Sequence, residues 1–390
     1  MPVQSTDLRE HNLSTVLRAV AEADGPVSRA GLAKRSGLTK PTVSKLVQEL
    51  LDAGLVVEGA QAAGGAAGRP VIPLSLARGG VAGVGLEIAA DHVACLVTGL
   101  DGEVLHEGSR FGSFVGAPVD AVAGELAHLL DEALAAVAQA RVAGVCVSVP
   151  GRLSTDRETV LSAPNLAWRA VPLLERLRRL PSFRGALLTA GNDSMLAAGT
   201  EVLRRPGESF LFLHGQTGIG GAVVLEGRIH RGEHGWAGEL GHVTIEPGGQ
   251  PCRCGRRGCL EAYVSYHALR GRTGLPEDVR IEDLVEAMAR RLHSREAVVE
   301  MLGRPLGAVL ANAMNVLDLS TVVLSGYFGP IAQELEPVLR EVVEAHALTA
   351  EAGPVRIEQA AADDRPSLTG AATTALEPIF ASPAWWIARG

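Results

Sequence analysis

GELGHVTIEPGGQPCRCGRRGCLE, residues 238–261, is the stretch on which the reading of this chain turns. It offers His242, Cys252, Cys254 and Cys259, one imidazole and three sulfurs, the ligand set of a closed tetrahedral zinc site. Glycines at 248, 249, 255 and 258, with Pro247 and Pro251, let the backbone wrap tightly around an ion. The plain alternative is three reduced cysteines that cluster by chance. With all four positions filled by protein, none is left for a catalytic water, so the expected Zn2+ is structural. Its binding would contribute on the order of 10 kcal/mol to the order of the loop.

Working outward, the rest of the composition is that of a globular chain. Its 390 residues are enough for two or three domains. Hydrophobic residues make up 47% but fall in short runs, none near the roughly 18 residues of a membrane span. No membrane association is expected. The start, MPVQSTDLRE, has neither the basic end nor the apolar centre of a secretory signal, which points to the cytoplasm. In that reducing setting clustered cysteines argue for metal rather than disulfides. Cys95 and Cys146, alone in apolar strand-like runs, read as core. A net charge of −8 excludes a surface that coats nucleic acid throughout. Between Pro26 and Gln48, however, the charged residues are Arg29, Lys34, Arg35, Lys40 and Lys45, with no acid. A solvated helix face would have the same look.

That basic segment lies in a helical pattern. Leu13, Val16, Leu17 and Val20 recur at i, i+3, i+4, i+7, predicting a helix from Leu13 that a loop at Asp24-Gly25-Pro26 ends. Ser28 is placed to cap a short second helix and Gly37 to stop it. Thr39 then caps a third, with Pro41 in its first turn and Val43, Leu46, Val47, Leu50 and Leu51 as its buried face. This is a helix-turn-helix. Outside the stripe lie Lys40, Thr42, Ser44, Lys45 and Gln48, which together with Ser28 supply hydroxyls, an amide and ammonium groups for phosphates and base edges of a double-stranded DNA operator. LVVE and VIPLSL read as two wing strands, with Arg69 of Gly68-Arg69-Pro70 placed to reach a minor groove. An all-helical protein-interaction module would leave both the basic stripe and the wing unexplained.

From Leu76 the texture changes. VAGVGLEIAADHVACLVTGLDGEVLHEG reads as strands with a hairpin at Asp101-Gly102, a long helix follows from Val119 to Ala140, and VAGVCVSVPG is a buried strand. Strands and helices alternate to the end. The fold class is therefore α/β, with residues 1–78 as a winged helix-turn-helix and 79–390 as a domain of two lobes around a cleft.

With the cysteine-rich segment and the N-terminal reader in place, the whole chain resembles the ROK family of repressors, open reading frames and kinases. The resemblance implies an actin-like, ribonuclease-H-like sugar-kinase domain. It also implies roles for residues. Asn192 and Asp193 in LLTAGNDSMLAAG stand where ROK kinases carry an Asn-Asp pair whose Asp acts as base towards the sugar. Glu239 and His242 of GELGH, and Glu261 after the last cysteine, stand where the family holds sugar hydroxyls. Asn165 in SAPNLAW looks like a further sugar contact, and Pro150-Gly151 resembles a turn lining the same cleft. One departure is large: where ROK kinases open this domain with a DxGGTK-type loop that closes on ATP phosphates, the aligned run is Glu87-Ile88-Ala89-Ala90-Asp91. Two methyl groups block close backbone approach, and Asp91 adds negative charge. Gln216 to Gly221 and Ser325-Gly326 keep the look of the later phosphate turns, but the lobes can need those turns for other reasons.

The expectation is a sugar-responsive regulator and not an enzyme: a homodimer or homotetramer whose operator affinity a sugar or sugar phosphate alters. A sugar kinase, and a repressor controlled by a protein partner, are the competing readings.

Overall fold

Two side-chain caps set the geometry of the N-terminal helices. In a computed structural model, which describes residues 5–388 apart from 24, 61–71, 277 and 362, Ser28 accepts a hydrogen bond from the Gly31 N–H at the start of α2 (Arg29–Ser36). Thr39 does the same for Thr42 at the start of α3 (Lys40–Asp52), and Gly37 ends α2 in the left-handed region at φ 70°. The preceding helix, α1 (Ser5–Ala21), starts at Ser5 rather than at Leu13. Its first turns are polar, and Asp7 there favours the positive helix end; a stripe of apolar positions cannot register such a solvated extension. Two short antiparallel strands, β1 (Val56–Glu58) and β2 (Leu74–Leu76), form the wing base. Arg69, expected at the wing, lies outside the described residues.

The next sheet begins with β3 (Val81–Ile88), β4 (His92–Gly99) and β5 (Val104–Phe111), an antiparallel meander turned at Asp101-Gly102. Then come α4 (Val119–Ala136), β6 (Arg141–Val149) and a three-stranded arm of β7 (Arg152–Leu153), β8 (Val160–Ala163) and β9 (Trp168–Val171). After α5 (Leu173–Arg178), strand β10 (Leu188–Asn192) completes the order β10-β6-β3-β4-β5. β3 is buried at every position. A strand covered by helices on both faces shows a continuous apolar run rather than alternation, and here α4 covers one face.

The second lobe starts with α6 (Asp193–Arg204), then β11 (Phe210–Gly215), β12 (Ile219–Leu225) and β13 (Arg228–His230). Helices α7 (Glu261–Val264), α8 (Tyr266–Thr273), α9 (Leu284–Leu292) and α10 (Arg295–Leu317) follow. β14 (Thr321–Gly326), α11 (Ala332–His346) and β15 (Arg356–Gln359) close it, giving the order β13-β12-β11-β14-β15. The chain then returns. α12 (Pro366–Ala381) lies across β3, β4 and β6 on the face opposite α4, and along α6. With α13 (Pro383–Ile387) it also seats the helix-turn-helix: Leu376, Ile379 and Trp386 share one core with Leu13, Val16 and Leu17 of α1. Ser14 Oγ donates to the Phe380 carbonyl at 2.7 Å, and Arg18 pairs with Glu377. One C-terminal helix thus touches both the helix that opens at Asp193 and the helix that supports the reader.

Among the described residues, no helix is long and apolar enough to cross a membrane. Cys95 and Cys146 are fully buried, and burial pushes both thiols up to about 12.

Candidate functional site

Between the lobes lies a cleft of about 340 Å³, within the roughly 300–1,000 Å³ typical of small-molecule sites. Its cysteine-rich end is built by close turns. The Cys252 N–H donates to the Arg256 carbonyl at 2.8 Å and the Gly255 N–H to that of Cys252 at 3.0 Å, which folds Cys252 and Cys254 into a knuckle. A bridge between Thr244 and Cys259 brings up the third sulfur. The Sγ atoms of Cys254 and Cys259 are 3.8 Å apart, Cys252 Sγ is 3.9 Å from His242 Nδ1, and all four ligand atoms lie within 4.8 Å of one another. A tetrahedral ion with bonds of about 2.3 Å to sulfur would space its sulfurs at about 3.8 Å. The cluster can hold a metal. Burial pushes the Cys252 thiol up, whereas Cys254, despite burial, is held down by the Arg256 N–H and by its sulfur neighbours.

The same imidazole serves the cleft. With Nδ1 turned to the sulfurs, His242 Nε2 faces Glu239 Oε2 at 3.8 Å. Burial raises the Glu239 carboxyl, a shift that His242 and Arg152 oppose. Glu261, buried at the start of α7, accepts the Ile219 N–H at 3.0 Å through Oε2. A methyl group on Gly218 would stand 2.5 Å from that oxygen and 3.0 Å from Asn165 Nδ2, so Glu261 and Asn165 flank one glycine from opposite lobes. The loop that looked like a phosphate turn therefore has packing reasons for its glycines. At Gly220 an added Cβ would meet Ser194 Oγ at 1.6 Å.

Asn192 and Asp193 stand at the junction of β10 and α6. Asn192 caps α6 by accepting the Met195 N–H at 3.1 Å and donates to the Gly151 carbonyl at 3.2 Å, so its amide is already engaged. Asp193 is half-buried beside it. Burial lifts its carboxyl to about 7; the N–H and Oγ of Ser194 oppose the shift, and the negative charges of Glu87 and Glu239 add to it. Six sequence-predicted sugar positions, Asn165, Asn192, Asp193, Glu239, His242 and Glu261, thus line one cleft.

The opposite end differs from expectation in one respect. Ala89 and Ala90 line the cleft as the sequence indicates, but the carboxylate there is that of Glu87, not Asp91. Asp91 is turned to His92 Nδ1 at 2.8 Å, and His92 Nε2 lies 3.4 Å from Glu87 Oε2. Burial disfavours the imidazolium, yet the hydrogen bonds to Asp91 and Glu87 outweigh it and lift His92 to about 9. Glu87 was read only as the start of the departing run, and its pairing with His92 escaped the sequence because both sit in apolar strand runs. The available signal was a buried-strand glutamate five residues from a histidine.

On the N-terminal domain, Lys40, Ser44, Lys45 and Gln48 are exposed on α3. Thr42 Oγ1 is 2.8 Å from that of Thr39, Gln48 donates to Asp52 at 2.8 Å, and Ser28 is spent on its cap. The chain has three lysines, Lys34, Lys40 and Lys45, all on α2 and α3. None forms an ion pair among the described residues, although most of the arginine pairs tie distant segments together. That concentration of lysine was legible in the sequence and is the strongest compositional mark of this face.

Comparison with known proteins agrees with both halves. The ROK family profile matches residues 83–377, and that of the MarR family residues 14–66. A putative xylose repressor of Caldicellulosiruptor sp. (strain Rt8B.4) is 27% identical, covering 96% of this chain and 98% of its own. Among solved structures, a ROK family transcriptional regulator described as a homolog of the E. coli MLC protein superposes with a TM-score of 0.80 at 25% identity, over 98% of this chain and all of its own. A ROK hexokinase from Thermus thermophilus, 28% identical, covers 76% of this chain and 99% of its own at a TM-score of 0.61. The repressor and the regulator thus span nearly the whole chain, and the kinase lacks a counterpart for about a quarter of it.

Proposed function

The chain belongs to the ROK family, and from that premise we propose that it is a sugar-responsive DNA-binding repressor of carbohydrate metabolism. The observation that carries this reading is the joining, in one chain, of a cleft lined by Asn165, Asp193, Glu239, His242 and Glu261 to a winged helix-turn-helix with unpaired lysines. Carboxylates and amides accept from and donate to vicinal hydroxyls in pairs. His242, Cys252, Cys254 and Cys259 would hold a structural Zn2+, which when bound fixes the loop and the orientation of the imidazole. Nε2 of His242 then donates towards the ligand beside Glu239, and Glu261, anchored on the Ile219 N–H, accepts from a neighbouring hydroxyl. Asn192 orients the turn at Gly151 and leaves direct contact to Asp193.

Lys40 and Lys45 would hold phosphates, with Ser44 and Gln48 towards base edges, in each half-site of a palindromic operator bound by a homo-oligomer. Closure of the lobes on sugar would shift α6 against α12, and α12 would carry that shift to α1 through Phe380 and Trp386. A coupling of about 1–3 kcal/mol suffices for regulation, provided the sugar binds the two lobe arrangements unequally. Domains 1–78 and 79–390 are the units so coupled.

One observation favours a kinase instead: a carboxyl at Asp193 raised to about 7 would suit a general base. Against it stand Glu87, Ala89 and Ala90 where nucleotide phosphates would have to approach, so phosphoryl transfer is not expected. The test selects bound duplexes from a random pool and then titrates the complex with xylose, glucose and other sugars. Failure to enrich any sequence, or an affinity that no sugar alters, sinks the proposal; ATP-dependent phosphorylation of a sugar would install the kinase in its place. Lys40→Ala and Lys45→Ala should each weaken binding and lower its salt dependence, whereas undiminished affinity in both would remove α3 from the interface.

A further inference from the structure

Arg152, in β7, follows the Pro150-Gly151 turn that Asn192 holds through the Gly151 carbonyl, and it lines the cleft on the Glu239 side. Its guanidinium lies over the Trp236 ring, 5.1 Å from the centroid. That ring is clamped: its Nε1 donates to the Leu153 carbonyl at 2.7 Å, and His234 packs edge-on against it with centroids 5.2 Å apart. Stacking uses the flat face of a guanidinium and leaves free the N–H donors along its edge. Among the described residues Arg152 forms no ion pair and no side-chain hydrogen bond. Arg256, the other arginine or lysine lining the cleft, stands beside Cys254. Arg152 is therefore the unspent cation of this site.

The charges around it say what its donors can take. Burial raises the Glu239 carboxyl, and His242 and Arg152 oppose the shift, so the guanidinium is near enough to act on Glu239 without pairing with it. A hydroxyl offers a guanidinium one uncharged acceptor. A carboxylate offers two coplanar oxygens that match two parallel N–H donors, in bonds roughly twice as strong. A phosphate monoester would bring about two negative charges into a cleft that already holds Glu87, Asp193, Glu239 and Glu261. One guanidinium balances one charge. Arg157 and Arg231 stand on the two segments that meet at Trp236, and neither is ion-paired among the described residues, but they do not line the cleft. They add positive potential beside it, which favours an anion over a neutral ligand.

Resting on the sugar-responsive reading, we propose that the effector is an acidic sugar of the uronate class, whose carboxylate takes the free edge of Arg152 while its hydroxyls are held by Glu239, His242 and Glu261. Trp236 is the positioning residue: it holds the guanidinium by its face and so aims the N–H edge at the ligand.

Calorimetric titration of the full-length protein, purified with Zn2+, tests it with glucuronate, galacturonate, their neutral parents glucose and galactose, and glucose 6-phosphate. At least one uronate should bind about tenfold or more tighter than its parent, and glucose 6-phosphate more weakly than that uronate. In Arg152→Gln the ratio of uronate to parent affinity should fall towards one, and in Trp236→Leu it should fall part of the way. Neutral sugars that match their uronates, a phosphate ester that binds as tightly as the better uronate, or a folded Arg152→Gln protein with its ratio intact overturns the inference and leaves the regulator reading standing. Binding of no uronate overturns it too, whereas the regulator reading stands or falls on the operator titration with neutral sugars. Because the unsubstituted protein already decides the ratio, misfolding of a variant would not rescue the idea.

Discussion

The two ends of the cleft are made by opposite devices. At the cysteine-rich loop, polar groups are pinned in place by the chain itself: Glu261 on the Ile219 N–H, His242 between sulfur and Glu239, Asn165 across Gly218. A ligand in the cleft would meet groups already oriented, which would reduce the ordering cost of binding. At the other end the polar groups are spent on one another, as in Asp91–His92–Glu87. The first end presents carboxylate, imidazole and amide groups held in place; the second carries Glu87 beside Ala89 and Ala90.

The contrast breaks most severely if the first end loses its pin. Cys259→Ser removes one of the four candidate metal ligands, and loss of a bound metal would withdraw on the order of 10 kcal/mol from the order of the loop. Sugar-induced stabilisation should disappear, with zinc content falling in step, while operator binding through α3 persists. A variant that loses zinc yet keeps its full sugar-induced shift in Tm would show that the loop does not organise the site.

The next effect reads the electrostatics where the ends meet. Because the folded carboxyl of Asp193 is lifted from 3.8 to about 7, the folded state holds this proton more tightly than the unfolded chain does. Stability is therefore lost as pH rises from about 4 to about 7 and is constant beyond. Asp193→Asn should remove that loss, melting higher than the unsubstituted protein by the equivalent of about 2–4 kcal/mol at pH 8, with the difference vanishing near pH 4. A pH-independent difference would mean that burial and Glu87 do not act on this group.

A smaller effect separates packing from phosphate binding in the second loop. Gly220→Ala drives a Cβ into Ser194 and should cost about 1–3 kcal/mol without any nucleotide present. Ser194→Gly in the same chain should recover part of it in a thermal melt. If Gly220→Ala were neutral to stability, the glycine would need a ligand to explain it.

Much of this architecture was legible in sequence because its signals are local. Ser28, Gly37 and Thr39 act within four residues of themselves, and three of the four candidate metal ligands lie within eight positions. The cleft residues could be named by their likeness to family motifs, but their partners could not, since Asn165, Gly218 and Glu261 meet only through the tertiary fold. α12 was invisible for the same reason. Its apolar, alanine-rich pattern says that it is buried, while only three-dimensional packing reveals that it touches β3, α6 and α1 at once. Asp91 misled because charge in a sequence has no direction: it was placed in the right loop, and a neighbouring histidine turns it out of the cleft.

That histidine gives the last and smallest test, with a pH window distinct from that of Asp193. His92 is lifted from 6.5 to about 9, so its charged form is bound better in the folded state than in the unfolded chain. The resulting stability is complete below about pH 6.5 and is lost as pH rises through about 9. Asp91 is largely exposed and solvent screens its share, which leaves about 1 kcal/mol for the pair of contacts. His92→Gln should therefore melt slightly below the unsubstituted protein at pH 6, and the gap should close by about pH 10. In the Asp193→Asn comparison the gap instead opens between pH 4 and 7. If the two differences followed the same pH course, one coupled titration would run through Glu87 and the ends of the cleft would not be electrostatically separate. If they keep their own windows, the carboxylates at the Glu87 end are balanced from within by His92, as a property of the fold rather than of the solvent around it.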